Sequence, residues 1–249
     1  MKPFCLVLAR DANLIETKIN EIERLGLPFI IVCGETFNDP RVIYRFPNGK
    51  WDAINFGYRY IPGEADVVVL NDVDTEIHGL DHMFMLIAGG SDFVYAAVRP
   101  SGGPQTKFYA IANPLNRALK VFAMGELVVA RKKLLDKLIP IPPCLAEDTY
   151  LLFKAMELNY KVDFCDDAYV RTSRTSSARE EVLYKERTTL GILQALDYTR
   201  PPPWIGLFYR SLPFLALMLM LGGEDGRAWA KGILRAIRLH VVGSNRTMF

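Results

Sequence analysis

The chain is poor in the residues that build soft-metal and redox centres. Its 249 residues include three histidines and four cysteines. His78, His82 and His240 are scattered without ligand spacing, so they read as structural or surface residues rather than a metal set. Cys5, Cys33, Cys144 and Cys165 contain no CxxC pair. Three of them lie in apolar, strand-like contexts, where reduced, buried thiols are expected. Excess charge is also missing. Thirty basic against 28 acidic residues leave a net charge of +2, which gives no electrostatic footprint for nucleic acid. There is no internal repeat and no low-complexity tract. The opening "MKPFCLVLAR" has too short an apolar run for a signal peptide. It reads as a first strand, and the expectation is a domain facing the cytoplasm.

A long uncharged hydrophobic run is lacking too, although the composition is 50% hydrophobic and the mean hydropathy is +0.10. The apolar excess gathers between residues 203 and 242. Even there, the uncharged apolar run from Leu212 to Leu221 is only ten residues long, against roughly 20 for a spanning helix. Pro213 interrupts the segment and Arg210 lies within it. Beyond it, Arg227, Lys231, Arg235 and Arg238 recur at spacings of four, four and three, opposite Ile233, Ile237 and Val241. That pattern predicts a helix lying in a membrane interface; the alternative is a helix pair closing the core. Residues 1–199 are thus expected to form one catalytic domain, and 200–249 a membrane-associated tail.

What the chain does contain is alternation. Strands are expected over 4–9, 28–34, 66–72, 92–98 and 161–165, with a further strand in "MGELVVARKKLL" (124–135). Helices are expected over 13–26, 49–61, roughly 79–88, from about Glu147–Asp148 toward 160, and from a capping box at Ser177 and Glu180 through Ala195. The stretches 99–107 and 171–179 read as loops. A βαβα order predicts an α/β fold with a mainly parallel sheet flanked by helices. Ligands in such sheets sit beyond the carboxyl ends of the strands, which groups Arg10, Asp11, Glu35, Asp72 and Asp74.

The stretch "VVVLNDVDTEI" (67–77) is the most telling. A buried strand ends in two carboxylates one residue apart. In an extended segment residues i and i+2 point the same way, so Asp72 and Asp74 are expected to converge and repel. A hard divalent cation relieves that conflict, because Mg²⁺ or Mn²⁺ takes carboxylate and phosphate oxygens. The competing reading makes Asp74 or Thr75 a helix cap.

"NGKWDAINFGYRYIPGEADVVVLNDVDTEI" (48–77) resembles the GK-x-x-A-x-N-x-G segment, turn and DxD strand of family 2 glycosyltransferases. Gly49, Lys50, Ala53, Asn55, Gly57, Gly63, Asp72 and Asp74 occupy the matching positions. "AEDTYLLFKAMELNYKV" resembles the family's xED motif through Glu147 and Asp148, with Ala146 where Thr is common. "MGELVVARKKLL" is similar to the preceding strand through Gly125 and Arg131. "YKERTTLGILQAL" (184–196) resembles the Q-x-x-R-W helix of cellulose-synthase-like members through Arg187 and Gly191. Tyr184 and Thr188 replace Gln and Trp, which argues against processive polymer synthesis. Tyr184, Arg187, Gly191 and Gln194 share one helical face.

The resemblance covers residues 4 to about 196. It implies a GT-A fold and a metal-dependent, inverting glycosyltransferase using Mn²⁺ or Mg²⁺. Ala9, Arg10, Asp11 and Glu35 would hold base and ribose, and Lys50 would reach toward the nucleotide. Asp72 would contact ribose or metal, and Asp74 would ligate the metal. Gly125 and Arg131 belong to the same nucleotide-sugar site. Arg187 would add a cation at the diphosphate, and Asp148, beside Glu147, would act as general base. Asp148 as a helix cap, and Lys50 and Arg187 as solvated charges, are the alternatives. The expected donor is a nucleotide-diphosphate hexose, GDP-mannose first. The tail suggests a lipid-linked (polyprenyl or dolichyl) acceptor at the cytoplasmic membrane face. A polyprenyl-phosphate sugar synthase and a non-catalytic nucleotide-sugar-binding membrane module are the rivals. A sugar-phosphate nucleotidyltransferase ranks lower, because "LARDANLI" lacks a glycine-rich loop after the first strand.

Overall fold

The computed structural model describes residues 1–173, 175 and 177–246, the last three by backbone alone. Positions 174 and 176, within the loop expected over 171–179, lie outside the described residues. β1 (Pro3–Ala9), β2 (Phe29–Cys33) and β4 (Val67–Asp72) form the centre of the sheet. They are continuous runs of Val, Ile, Leu and Cys, and nearly every residue is buried. Such runs suit strands covered on both faces. Each fully buried Val, Leu or Ile contributes about 1.5–3 kcal/mol of transfer free energy.

The sheet has eight strands in the order β3-β2-β1-β4-β7-β6-β8-β5. The short β3 (Val42–Tyr44) extends the parallel half, and β6 (Phe93–Pro100) pairs in parallel with β8 (Val162–Thr172). β7 (Leu127–Arg131) runs antiparallel to both β4 and β6, and β5 (Thr75–His78) antiparallel to β8. The sheet is therefore mixed rather than mainly parallel: four of its seven pairings are parallel and three antiparallel. β3 and β5 were not visible in the sequence, because three or four residues are too few for a periodic signal.

The expected helices form α1 (Ile15–Arg24), α2 (Lys50–Gly57), α3 (Leu80–Ala88), α6 (Glu147–Glu157) and α7 (Ala178–Tyr198). The Ser177 hydroxyl accepts the Glu180 N–H at 3.3 Å, as the capping box predicts. The second half of 99–107 is not loop but the start of α4 (Gln105–Leu119), and the basic stretch after β7 is α5 (Lys132–Leu138). All four cysteines are buried free thiols.

The tail forms α8 (Pro203–Arg210), α9 (Leu212–Leu219) and α10 (Gly223–Arg246). These helices pack onto the rest of the molecule as part of the same core. Phe208 meets Phe122 edge-on at 5.4 Å, Trp229 meets Phe108 at 6.0 Å, and the Tyr209 hydroxyl donates to the Val121 carbonyl. Gly232 brings α10 against Val182 and Lys185 of α7. Among the described residues no helix is long and apolar enough to cross a membrane. Arg227, Lys231, Arg235 and Arg238 are exposed, while Ile233 is buried and Ile237 half-buried.

Helix α1 buries a face that carries a charge. Leu14 and Leu25 are exposed, and Ile15, Ile19 and Ile22 are buried together with Lys18, which is only 1% exposed. Lys18 donates to Glu21 at 2.6 Å, to the Asn71 side-chain carbonyl at 2.9 Å and to the Thr75 carbonyl. Asn71 in turn donates to Thr75 and to the Glu126 carbonyl. This network fixes the end of β4 from beneath. Removing one member of a buried charged network leaves its partners uncompensated. Lys18→Met is therefore expected to lower unfolding free energy by roughly 3 kcal/mol, read as a lower urea midpoint with unchanged slope. A loss below about 0.5 kcal/mol, the range of a neutral surface change, would contradict the network's role.

Candidate active site

Parallel β1, β2 and β4 deliver their carboxyl ends to one edge, and antiparallel β7 begins there. A cavity of about 1360 Å³ lies over that edge, lined by Ala9, Arg10, Asp11, Lys50, Asp72, Asp74, Gly125, Glu147, Asp148 and Arg187. Residues from six separate stretches of chain are thus brought together as expected. Asp72 is the last residue of β4, but Val73 and Asp74 form a turn into β5. Asp74 is therefore placed by a reversal of the chain rather than by a continuing strand.

Two expected residues fall elsewhere. Glu35 is not in the cavity lining; its carboxylate accepts the Ala12 N–H at 3.0 Å and so shapes the loop after β1. Arg131 pairs with Val67 at the start of β4, at the opposite edge of the sheet from Asp72. Its guanidinium donates to the Ile87 and Ser91 carbonyls at 2.6 and 3.1 Å, beside Asp92. The antiparallel sense of β7 is the reason: a strand with Gly125 just ahead of its near end must finish at the far one.

Lys50 is the junction of the site. At the N-terminus of α2, its ammonium lies 2.9 Å from Asp72 on β4 and 2.9 Å from Glu147 on α6. Burial alone would lower its proton affinity. Asp72, Glu147 and Asp148 outweigh that and hold the ammonium proton well above the usual lysine range. Burial pushes the Asp72 carboxyl up to about 6, against the pull of Lys50 and helped by Glu126 and Asp74. Burial and then the Glu147 charge also raise Asp148, opposed by Lys50 and the Thr149 and Gly125 N–H groups.

Asp148 accepts the Thr149 N–H at 2.7 Å and the Gly125 N–H at 3.1 Å. A Cβ on Gly125 would stand 2.4 Å from the Asp148 Cβ, so only glycine permits this approach. Gly191 does the same for α7: a Cβ there would meet the Ala146 nitrogen at 2.6 Å, and three residues on, Gln194 accepts the Leu145 N–H at 3.0 Å. The face shared by Tyr184, Arg187, Gly191 and Gln194 is therefore seated against the loop that presents Glu147 and Asp148.

Five carboxylates (Asp72, Asp74, Glu126, Glu147, Asp148) line this part of the cavity together with Lys50. Such an oxygen-rich, net negative donor set fits a hard divalent cation. Among the described residues no group of three or more His, Cys, Asp or Glu side chains is closed enough to hold a metal alone. The Lys18–Asn71–Thr75 support beneath the site was missed in the sequence. Its one signal is Lys18 at helical spacing between Ile15 and Ile22.

No protein-family model matches the chain, and no curated protein matches it in sequence. Solved structures do. A mannosyltransferase from Pyrobaculum calidifontis, in complex with GDP-Man and Mn²⁺, matches with a TM-score of 0.65 at 17% identity, covering 100% of this chain and 81% of that one. TarS 1–349 of S. aureus matches at 0.54 and 15% identity, over 96% and 92%. The glucosyl-3-phosphoglycerate synthase of M. tuberculosis matches at 0.50 and 18%, over 78% and 80%. The chain has the GT-A fold shared by these proteins.

Lys50→Met leaves Asp72, Glu147 and Asp148 facing one another without a cation. Carboxylates whose folded proton affinity exceeds the unfolded value destabilise the fold above the folded pKa. That penalty is relieved as pH falls through it. The variant's stability deficit is therefore expected to be about 2–3 kcal/mol at pH 8 and clearly smaller at pH 5. Equal deficits at both pH values would overturn this electrostatic account.

Proposed function

We propose that this protein is a divalent-metal-dependent, inverting glycosyltransferase that moves a hexose from a nucleotide-diphosphate sugar to a lipid-linked acceptor at a membrane surface. The observation that carries the reading is the Lys50 ammonium held between Asp72 and Glu147, with Asp148 beside them in one cavity. It ties a donor-side carboxylate to an acceptor-side helix. GDP-mannose is the first candidate donor, supported by the fold likeness to a mannosyltransferase solved with GDP-Man.

Ala9, Arg10 and Asp11, at the end of β1 and in the cavity lining, would hold base and ribose, and Glu35 accepts a hydrogen bond from the loop that follows. Asp72 and Asp74 would hold Mn²⁺ or Mg²⁺, which neutralises charge developing on the leaving diphosphate. Lys50 keeps Asp72 ionised and in place. Arg187 offers a second cation to the phosphates. Asp148, half-buried and with raised proton affinity, accepts the proton of an acceptor hydroxyl as that hydroxyl oxygen attacks the anomeric carbon. One displacement inverts that carbon.

Membrane attachment is supported by the outer surface of the tail. Trp204, Leu207, Phe214, Leu217 and Leu221 are 53–83% exposed on α8, α9 and the turn after it. Arg227, Lys231, Arg235 and Arg238 follow along α10. An apolar face bordered by cations suits an anionic interface.

A ligand that binds only the native state raises its stability by mass action. GDP-mannose with Mn²⁺ is expected to raise the melting temperature by several degrees, and neither alone by as much. The double variant Asp72→Asn, Asp74→Asn should lose the metal-dependent part. Asp148→Asn should keep the donor response and lose at least a hundredfold in transfer rate. No response to GDP-mannose, UDP-glucose or related donors in folded protein would sink the transferase reading. Pelleting with anionic but not zwitterionic vesicles checks the tail.

A further inference from the structure

The cavity is larger than one donor requires. Ordinary small-molecule sites occupy about 300–1,000 Å³, and this one encloses about 1360 Å³. Its walls differ in character. The half over the strand ends is charged. The other is bounded by α4, α7 and the tail helices, through residues such as Ala112, Leu115, Leu215, Leu219 and Ile233. Helix α9 explains the arrangement. It is apolar around its circumference, which ordinarily marks a helix buried on all sides. Here Leu215 and Leu219 face the cavity, while Phe214 and Leu217 are 67% and 63% exposed. One layer of helix separates the cavity from the outer apolar surface.

Lys185 and Trp229 stand out in the walls of this mostly apolar arm, which Tyr109, Thr188 and Thr189 also line. Lys185 of α7 is 7% exposed, with its ammonium 3.1 Å from the Phe108 ring centroid and 5.6 Å from that of Trp229. Trp229, 8% exposed and also lining the cavity, has a buried indole N–H without a hydrogen-bond partner among the described residues. A cation and an unsatisfied donor beside an apolar arm suit one ligand chemistry, an anionic head carrying a hydrocarbon tail.

We infer that this arm is an internal channel for a single hydrocarbon chain of a phosphate-headed amphiphile. The head lies toward Lys185 and Trp229, and the chain runs between α4 and α9–α10. The inference rests on the transferase reading for its link to chemistry: this arm is part of the same cavity as Asp148, so a sugar carried on that phosphate head would present the acceptor hydroxyl. The hydrocarbon is then housed within the protein while the outer face of α8–α9 meets the membrane.

The test is calorimetric titration of the full chain, in detergent-free buffer, with octyl and dodecyl monophosphate below their micelle thresholds. Inorganic phosphate serves as control. Burial strengthens binding by roughly fourfold per methylene, so on the order of a hundredfold for four. The expected result is that dodecyl phosphate binds far more tightly than octyl phosphate, and inorganic phosphate weakly or not at all. Ala112→Phe and Leu215→Trp, which fill the arm, should abolish the chain-length gradient. The outer-face double variant Leu207→Ser, Leu217→Ser should keep it. A gradient that survives the filling variants, or vanishes in the outer-face variant, places the chain on the surface and overturns the channel. So does the lack of any gradient in the wild type. Melting of each variant establishes that it is folded. The Mn²⁺-dependent donor response, measured alongside, separates the two readings: a gradient without it supports the channel and overturns the transferase assignment.

Discussion

The site depends on one ammonium group. Lys50 stands where β4 and α6 meet, and without it Asp72, Glu147 and Asp148 would face one another in a poorly solvated space. Like charges in such a place force a proton onto one carboxylate or push the elements apart. The lysine lets all of them stay close. It also joins the end of β4 to the start of α6, so the two sides of the cavity cannot drift independently. Beneath it a second buried lysine, Lys18, performs the corresponding task for the end of β4. Two cations with different neighbours thus hold a carboxylate-rich edge that would otherwise be unstable.

The mixed sheet follows a comparable constraint. The parallel strands β1, β2 and β4 all finish at the ligand edge, but an acceptor-side wall must be supplied from elsewhere. Antiparallel β7 supplies it by starting at that edge, with Gly125 just ahead of it under Asp148. The same reversal sends Arg131 to the other edge, where it holds the loop after α3 instead of a nucleotide. Close approach recurs at Gly191, where a bare backbone lets α7 press on the loop before α6. Precise placement of catalytic groups rests on such contacts, because small displacements of a reacting group cost large factors in rate.

The tail combines two roles that are usually separate. Its inner surface completes the core through Phe208, Tyr209 and Trp229, while its outer surface remains apolar and exposed. Exposed apolar patches of this kind mark interaction surfaces. The packing runs straight across residue 200, where the composition changes.

Strong local signals were legible without the fold. The apolar runs of β1, β2 and β4 and the capping box at Ser177 depend on neighbours within a few residues, and they emerged as read, whereas the extended strand expected to align Asp72 with Asp74 gave way to a turn at Val73–Asp74. The glycines at 125 and 191 stood in a recognisable pattern, but what each lies against is set by chain more than twenty residues away. Strand direction, the fate of Arg131, the supporting position of Glu35 and the burial of Lys18 were decided by tertiary structure alone. Each depends on which distant element lies alongside, and side-chain alternation says which residues are buried without saying against what. The cavity between α4 and the tail belongs to that second class, because an apolar residue lining a space and one filling a core have the same sequence pattern.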